Sequence, residues 1–173
     1  MKSGFYIKTI LITGVVLVCV YFAGIAVKHA VQESKFKEFT ATVTKVIDGD
    51  TVQLDDLRMI RLVGIDTPET SHPDQPVQKY GNEAKKYLKE RIEGKACVFE
   101  YETTNEHDVY GRTLAMIYLD EDNINAEMIK QGFAYAYVKN PNSRTRDFTV
   151  LENIAKKFRR GLWVDEAGGQ VKR

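Results

Sequence analysis

The sequence contains few of the residues that mark disulfide-bonded or zinc-binding proteins. It has two cysteines and three histidines in 173 residues. Cys19 lies in an apolar run and Cys97 in a strand-like segment, so we expect no disulfide, and Cys97 is simply interpreted as a small buried apolar residue. The histidines, His29, His72 and His107, do not have the spacing of a zinc site. We therefore expect them at the surface rather than on a metal.

A strong excess of one charge is also missing. The formal net charge is +1, and residues 41–173 contain 20 basic against 22 acidic residues. A globally basic nucleic-acid-binding protein is therefore excluded, and any anion site must be a local cluster of arginines and lysines. Internal repeats and low-complexity tracts are absent. The length suits one domain with an appendage.

One long uncharged run is present near the N-terminus. Residues 9–27, TILITGVVLVCVYFAGIAV, follow a short flank, residues 1–8, and precede a polar linker, residues 28–40. A run of this length can cross the ~30 Å hydrocarbon core as a helix. We interpret it as an uncleaved membrane anchor, the alternative being a signal sequence cleaved near Ala30. Lysines flank both ends, so the charges do not fix its orientation.

Residues 41–165 are predicted to form an α+β domain, and residues 166–173 a flexible tail. Short segments rich in β-branched residues and separated by turn signals predict a small five-stranded barrel. These segments are residues 41–47, 51–54, 58–65, 96–102 and 112–119.

Three segments with helical periodicity predict helices in the same domain. They are residues 82–94, 123–132 and 147–161. In the last segment, apolar residues at helical spacing predict a face that packs on the core. These residues are Leu151, Ile154, Ala155 and Phe158.

Two acidic turns follow predicted strands. IDGDT contains Asp50, and GIDTPET contains Asp66, Thr67 and Glu69. Alone, Asp-Gly is a common hairpin turn. Together, the carboxylates of Asp50 and Asp66 and the backbone carbonyl of Thr67 offer hard oxygen ligands, which suit Ca²⁺ better than a transition metal. The two turns therefore predict a calcium site.

Two arginines lie on strands that lead toward these turns. Arg61 precedes the second acidic turn, and Arg112 begins a later strand. A lone arginine there is usually a solvated charge. Two arginines beside a bound metal would instead grip phosphate oxygens and neutralise charge that develops during phosphoryl transfer. Glu69 is then available to accept a proton from an attacking water as a general base.

The motifs DGDT, RLxGIDTPET and YGR, in this order, resemble the staphylococcal nuclease (thermonuclease) family. The segment from His72 to Ala84, QGFA and GLW extend the resemblance over about residues 41–163. The resemblance implies a five-stranded OB-type β-barrel with three α-helices, here preceded by an N-terminal apolar helix. It also implies calcium-dependent hydrolysis of DNA and RNA phosphodiesters with little sequence specificity, leaving 3′-phosphate ends.

The family assigns the same roles to the acidic residues and arginines as the chemistry does. It adds two aromatic residues, since Tyr110 and Tyr137 match positions near the terminal phosphate and the nucleotide base. Two positions depart from the best-known member. Val109 stands where that protein has a lysine, and Lys139 replaces the second tyrosine of its late Tyr-Val-Tyr, in a segment one residue shorter. Both departures concern substrate affinity rather than chemistry.

The alternative function is a non-catalytic OB-fold module that binds single-stranded nucleic acid beside a membrane. The full set of carboxylates and arginines favours the enzyme. We expect a monomer with DNA and RNA as substrates, and no protein partner is indicated. A two-carboxylate calcium site is expected to be weak, as in extracellular modules. The prediction is thus a single-pass cell-membrane protein with its nuclease domain outside, or a secreted protein if residues 9–27 are cleaved.

Overall fold

The computed structural model describes residues 15–28, 35–70, 76–139 and 141–164. The chain divides after Lys37 into two compact units. The predicted flank and tail, residues 9–14 of the apolar run, and His29 and His72 lie outside the described residues.

Residues 15–28 form the first helix, α1, whose side chains are exposed. Among the residues that the structure describes, no helix is long and apolar enough to cross a membrane. The choice between an anchor and a cleaved signal sequence stays a prediction.

From Phe36 onward, the described residues contain eight strands, three further α-helices and a short 3₁₀ helix. The strands are β1 (Phe36–Asp48), β2 (Thr51–Leu54), β3 (Met59–Leu62), β4 (Ile65–Asp66), β5 (Ala96–Glu102), β6 (Thr113–Leu119), β7 (Asp122–Asn123) and β8 (Tyr135–Ala136). The helices are α2 (Gly81–Ile92), α3 (Ile124–Lys130) and α4 (Thr145–Lys157), with the 3₁₀ helix at Gly161–Trp163.

Five of the strands close into a barrel, which confirms the predicted fold class. Neighbouring strands follow the order β3-β2-β1-β5-β6, and an additional pairing of β3 with β6 closes the ring. The closing pair is parallel, with Arg61 opposite Leu114. The β2–β3 and β5–β6 pairs are antiparallel. Strands β4 and β8 form a separate two-stranded ladder beside the barrel.

The barrel interior and the inner faces of the helices form one apolar core. Its largest fully buried side chains include Phe99, Leu54 and Ile60. Helix α2 buries Ala84, Leu88 and Ile92, which are spaced at four residues and so share one face. Burial of a side chain as large as Leu88 or Ile92 contributes about 1.5–3 kcal/mol. The periodicity read from the sequence is therefore the packing face of α2.

Two predicted strand boundaries were wrong by more than one residue. Strand β1 begins at Phe36, inside the predicted linker 28–40, and the ring of Phe39 stacks on Phe99 at 5.2 Å. The predicted strand 58–65 ends at Leu62, because Gly64 turns the chain with φ +77° and leaves no room for a Cβ beside Phe148. The chain then leaves the barrel and enters β4.

The predicted core face of α4 was also partly wrong. Phe158 lies beyond the last helical residue and is 60% exposed. The buried residues of α4 are Phe148, Glu152 and Ala155, so the predicted Ala155 is confirmed and Phe148 was missed. Glu152 accepts a hydrogen bond from the backbone N–H of Ala136, which joins α4 to β8.

Candidate active site

Three barrel segments bring the predicted residues to one end of β2 and β3. The turn between β1 and β2 contains Asp50, and the pairing of Thr51 with Arg61 places the arginine next to this turn. The β4–β8 ladder, in which Asp66 pairs with Tyr135, fixes the loop that follows. Distant parts of the sequence therefore meet at this rim because of strand register.

Arg61 is held between two backbone carbonyls and two carboxylates. Its Nη1 donates to the carbonyls of Leu62 at 2.9 Å and Ile65 at 3.1 Å. Its Nη2 lies 2.9 Å from Asp50 Oδ2 and 3.3 Å from Asp66 Oδ1. The two carbonyl contacts orient the guanidinium, so the charge of Arg61 stays beside both predicted calcium carboxylates.

Asp50 is buried and accepts hydrogen bonds on both oxygens. The Thr51 hydroxyl donates to Oδ1 at 3.0 Å. The backbone N–H and the hydroxyl of Thr67 donate to Oδ2 at 3.1 and 2.8 Å. Thr67 thus holds the loop after β4 against the β1–β2 turn, a role that the sequence prediction of a carbonyl ligand did not include.

Asp48 anchors the same loop two residues before Asp50. Its side chain accepts hydrogen bonds from the Gly49 N–H at 2.8 Å and from the Thr70 hydroxyl at 2.9 Å. Burial raises the pKa of Glu69. The Asp48 carboxylate raises this pKa further, by electrostatic repulsion and by a hydrogen bond. Glu69 therefore lies within electrostatic reach of the aspartates of this turn.

Arg112 reaches the site from the segment before β6. Its Nε donates to Asp108 Oδ2 at 2.7 Å, and its Nη1 lies 3.4 Å from the hydroxyl of Thr51. The same hydroxyl donates to Asp50. A chain of hydrogen bonds therefore connects Arg112 to the carboxylate that pairs with Arg61.

The predicted substrate tyrosines occupy two different loops. Tyr110 is 80% exposed in the turn before β6, and the Arg112 guanidinium lies 5.4 Å from the centre of its ring. Tyr137 follows β8, and its backbone N–H donates to the carbonyl of Gly64 at 2.9 Å. The departure at Val109 is at the tip of the first loop, where its side chain is 92% exposed.

Asp66 is the more accessible of the two predicted calcium carboxylates, with 53% of its side chain exposed. Partial burial of its carboxyl group raises the pKa of Asp66, and repulsion by the Asp50 carboxylate raises it further. The positive charges of Arg61 and, more weakly, Lys139 lower this pKa without cancelling the rise. Lys139, the second departure, therefore places a positive charge within electrostatic reach of Asp66.

The donor chemistry fits a hard cation held by few protein ligands. In the four described ranges, no group of three or more His, Cys, Asp or Glu side chains is arranged to hold a metal ion. Asp50 and Asp66 share one nitrogen of Arg61, and repulsion between these two carboxylates is what a divalent cation would relieve. Two carboxylates and a carbonyl, completed by water, are oxygen ligands of the type that Ca²⁺ accepts.

Sequence reasoning missed two residues of this site. Asp48 is part of the DGDT motif, and the Asp-Gly-Asp spacing was its only signal. Asp108 lies four residues before Arg112, a spacing that becomes meaningful only when the intervening turn is known. Burial lifts the pKa of Asp108, but hydrogen bonds from the backbone N–H and guanidinium of Arg112 and from the Tyr110 N–H outweigh it and lower the pKa overall.

Comparison with known proteins relates most of this chain to one family. Residues 59–165 match the model of the family described as staphylococcal nuclease homologue. The chain is 32% identical to a thermonuclease of Staphylococcus hyicus and 33% identical to one of Staphylococcus intermedius, each over 87% of this chain and 96% of the relative. It is also 34% identical to the endonuclease YncB of Bacillus subtilis, over 73% of this chain and 63% of that protein. The chain therefore belongs to the staphylococcal nuclease family.

Proposed function

We propose that this member of the staphylococcal nuclease family is a calcium-dependent endonuclease that hydrolyses DNA and RNA phosphodiesters and leaves 3′-phosphate ends. Nuclease activity follows from the family and from relatives named thermonuclease and endonuclease. The observation that carries the finer proposal is the position of Arg61, with one nitrogen 2.9 Å from Asp50 and 3.3 Å from Asp66. A phosphate oxygen that replaced one of these contacts would remain next to the metal carboxylates.

In this proposal Asp50, Asp66 and the Thr67 carbonyl hold the calcium ion. When bound, the ion supplies positive charge at the phosphate oxygens and orients the phosphate. Arg61 and Arg112 bind the phosphate oxygens and stabilise the negative charge that develops on them. Glu69 takes a proton from the attacking water. Tyr110 and Tyr137 bind the substrate near its terminal phosphate and its nucleotide base.

Low sequence specificity is part of the proposal. Arginines that contact phosphate carry no information about the bases, and aromatic stacking accepts every base. Stacking on an exposed ring such as Tyr110 contributes roughly 1–3 kcal/mol per base. We therefore expect cleavage at many positions, with a preference for single-stranded or locally melted regions.

The test is cleavage of plasmid DNA and of a single-stranded oligonucleotide by the full chain with Ca²⁺, with Mg²⁺, or with a chelator. We expect cleavage with Ca²⁺, loss of cleavage with the chelator, and products that a phosphatase converts to 3′-hydroxyl ends. Binding of single strands without cleavage under any of these conditions would instead support the non-catalytic OB-fold alternative.

We further propose that residues 9–27 place the nuclease domain outside the cell membrane. A weak calcium site would stay empty in a calcium-poor cytosol and fill outside, which keeps the activity away from the chromosome. Protease added to intact, wall-stripped cells should destroy the domain and spare cytosolic markers. Protection until the membrane is opened would reverse the orientation. A shortened soluble form in the medium would identify a cleaved signal sequence.

A further inference from the structure

We propose that Asp108 is a positioning residue for Arg112, which it fixes in the orientation needed to hold phosphate. The inference rests on the proposed function, since that function gives Arg112 its role. Asp108 lies on the loop before β6 and belongs to none of the motifs that identify the site in the sequence.

The Asp108 carboxylate makes three hydrogen bonds within its own turn. Oδ2 accepts from Arg112 Nε at 2.7 Å. Oδ1 accepts from the backbone N–H groups of Tyr110 at 2.9 Å and Arg112 at 3.0 Å. The backbone closes the same turn, because the Asp108 N–H donates to the Arg112 carbonyl and the Gly111 N–H donates to the Asp108 carbonyl, each at 3.0 Å. One carboxylate therefore fixes both the loop and the side chain that it presents.

Apolar packing contributes little to this turn. Val109 and Tyr110 are 92% and 80% exposed, so apolar packing does not define its shape. The side chains of Asp108 and Arg112 are 16% and 28% exposed, so their ion pair is better shielded from water than an ordinary surface pair. The conformation of the loop therefore depends on hydrogen bonds, three of which end on this carboxylate.

The contact with Nε decides which part of Arg112 faces the site. With Nε bound to Asp108, Nη1 is directed toward Thr51, whose hydroxyl lies 3.4 Å away and donates to Asp50. With Nε occupied, the two terminal nitrogens are the pair that can donate to two phosphate oxygens in parallel. A guanidinium already held in place also loses less conformational entropy when phosphate binds.

A second pair in this chain has the same chemistry away from the site and serves as the control. Asp56 accepts from the backbone N–H of Arg58 at 3.1 Å and from its Nε at 2.6 Å. This pair is 44–45% exposed, and the Arg58 guanidinium lies 3.9 Å from the ring centre of Phe39 instead of near the carboxylates. Asp56→Asn therefore removes a comparable ion pair without touching Arg112.

The experiment compares Asp108→Asn with Asp56→Asn in the full chain. Asparagine retains an oxygen for the turn amides, but its NH₂ group cannot accept the Nε proton. We expect Asp108→Asn to lower kcat about 10–100-fold, the range found when a partner that orients a functional ligand is removed. Asp56→Asn should leave kcat within about twofold of the wild type. Equal kcat in the two variants would overturn the proposal.

A double-mutant cycle separates positioning from a general effect on the fold. Arg112→Lys retains the charge but has no Nε, so adding Asp108→Asn to it should change kcat by less than about twofold. An undiminished loss of kcat in that background would overturn the proposal, since Asp108 would not act through Nε. If the wild type cleaves no substrate with any cation, the proposed function itself fails.

A spectroscopic measurement keeps the proposal testable where activity is too low. In ¹⁵N-¹H spectra of arginine side chains, the Nε–H signal absent from Arg112→Lys is assigned to Arg112. It should exchange slowly with water in the wild type and in Asp56→Asn, and should exchange rapidly in Asp108→Asn. Slow exchange retained in Asp108→Asn would contradict the positioning role.

Discussion

Thr67 donates two hydrogen bonds to a single oxygen of Asp50, from its backbone N–H at 3.1 Å and from its hydroxyl at 2.8 Å. The contact joins the loop after β4 to the β1–β2 turn. The two predicted calcium carboxylates come from these two segments, so their separation depends on this bridge. The importance of Thr67 therefore extends beyond its carbonyl.

The first prediction concerns the Thr67 hydroxyl. Thr67→Val removes the hydroxyl and retains the shape and the backbone, whereas Thr67→Ser retains the hydroxyl. We expect Thr67→Val to raise the Ca²⁺ concentration for half-maximal cleavage about 10–100-fold, as is typical when a partner of a metal ligand is lost. Thr67→Ser should stay near the wild type. Identical calcium titrations for all three proteins would show that the bridge does not support the site.

The second prediction concerns the arginines. Arg61→Ala and Arg112→Ala should each lower kcat about 10²–10³-fold, because each removes a preorganised donor to the transition state. Arg58→Ala is the matched control. Arg58 pairs with Asp56 instead of with the carboxylates of the site, so this variant should retain activity. Steady-state kinetics and circular dichroism on all three variants make the measurement. Loss of the dichroism signal in Arg112→Ala would favour a structural role for that residue.

The third prediction concerns Glu69. Glu69→Gln retains the size of the side chain and removes its ability to take a proton, which should lower the rate about 10²–10⁴-fold. Glu83→Gln, an exposed residue in the first turn of α2, is the control. Cleavage by Glu69→Gln at the control rate would exclude Glu69 as the general base.

The fourth prediction concerns Asn125, which is fully buried. Its Oδ1 accepts from the Ile117 N–H at 3.0 Å, and its Nδ2 donates to the carbonyls of Val63 at 2.9 Å and Ala115 at 3.2 Å. Asn125→Ala leaves these buried groups without the partner, and should lower the free energy of unfolding by roughly 3 kcal/mol. Asn123→Ala, which removes only the N-cap of α3, should lower it by about 1 kcal/mol. Urea unfolding distinguishes the two, and equal losses would contradict the network.

The fifth prediction concerns the pH dependence of stability through Asp108. Its folded-state pKa is lowered, so it stabilises the fold above its unfolded pKa of about 3.9, and this contribution disappears as the pH falls through the folded value. The difference in unfolding free energy between the wild type and Asp108→Asn should be constant above about pH 5 and shrink toward pH 3. A difference that grows on acidification would give the opposite sign and refute the assignment.

The barrel could be predicted from the sequence because its signals are local. Each segment rich in β-branched residues predicts one strand, and the four-residue spacing of apolar residues in α2 predicts one helix. The order of the family motifs predicts how these strands and helices are arranged in the fold. The break at Gly64 could not be predicted, since the glycine is required there by the ring of Phe148, which comes from α4. Phe158 was misplaced because helical spacing does not reveal where the helix ends.

The candidate site was predictable where it consists of charged residues in turns. Asp50, Asp66, Arg61 and Arg112 are recognisable from their chemistry, and the rim of the barrel brings three of them into contact. The residues that orient them were not recognisable. Asp108 is an ordinary acidic residue in the sequence, and only the geometry of its turn shows that it holds Arg112.

The parallel pairing of β3 with β6 also determines when the protein can become active during folding. Arg61 lies in β3, and Arg112 immediately precedes β6, so the two arginines are brought to the same rim only after β4, α2 and β5 have been looped out and the ring has closed. Such non-local pairing is a slow event, because the entropy of the intervening loop is lost before the contact forms. A chain still emerging from the ribosome therefore has apart the two arginines that we propose to bind phosphate, and we expect it to cleave no nucleic acid until β6 pairs with β3.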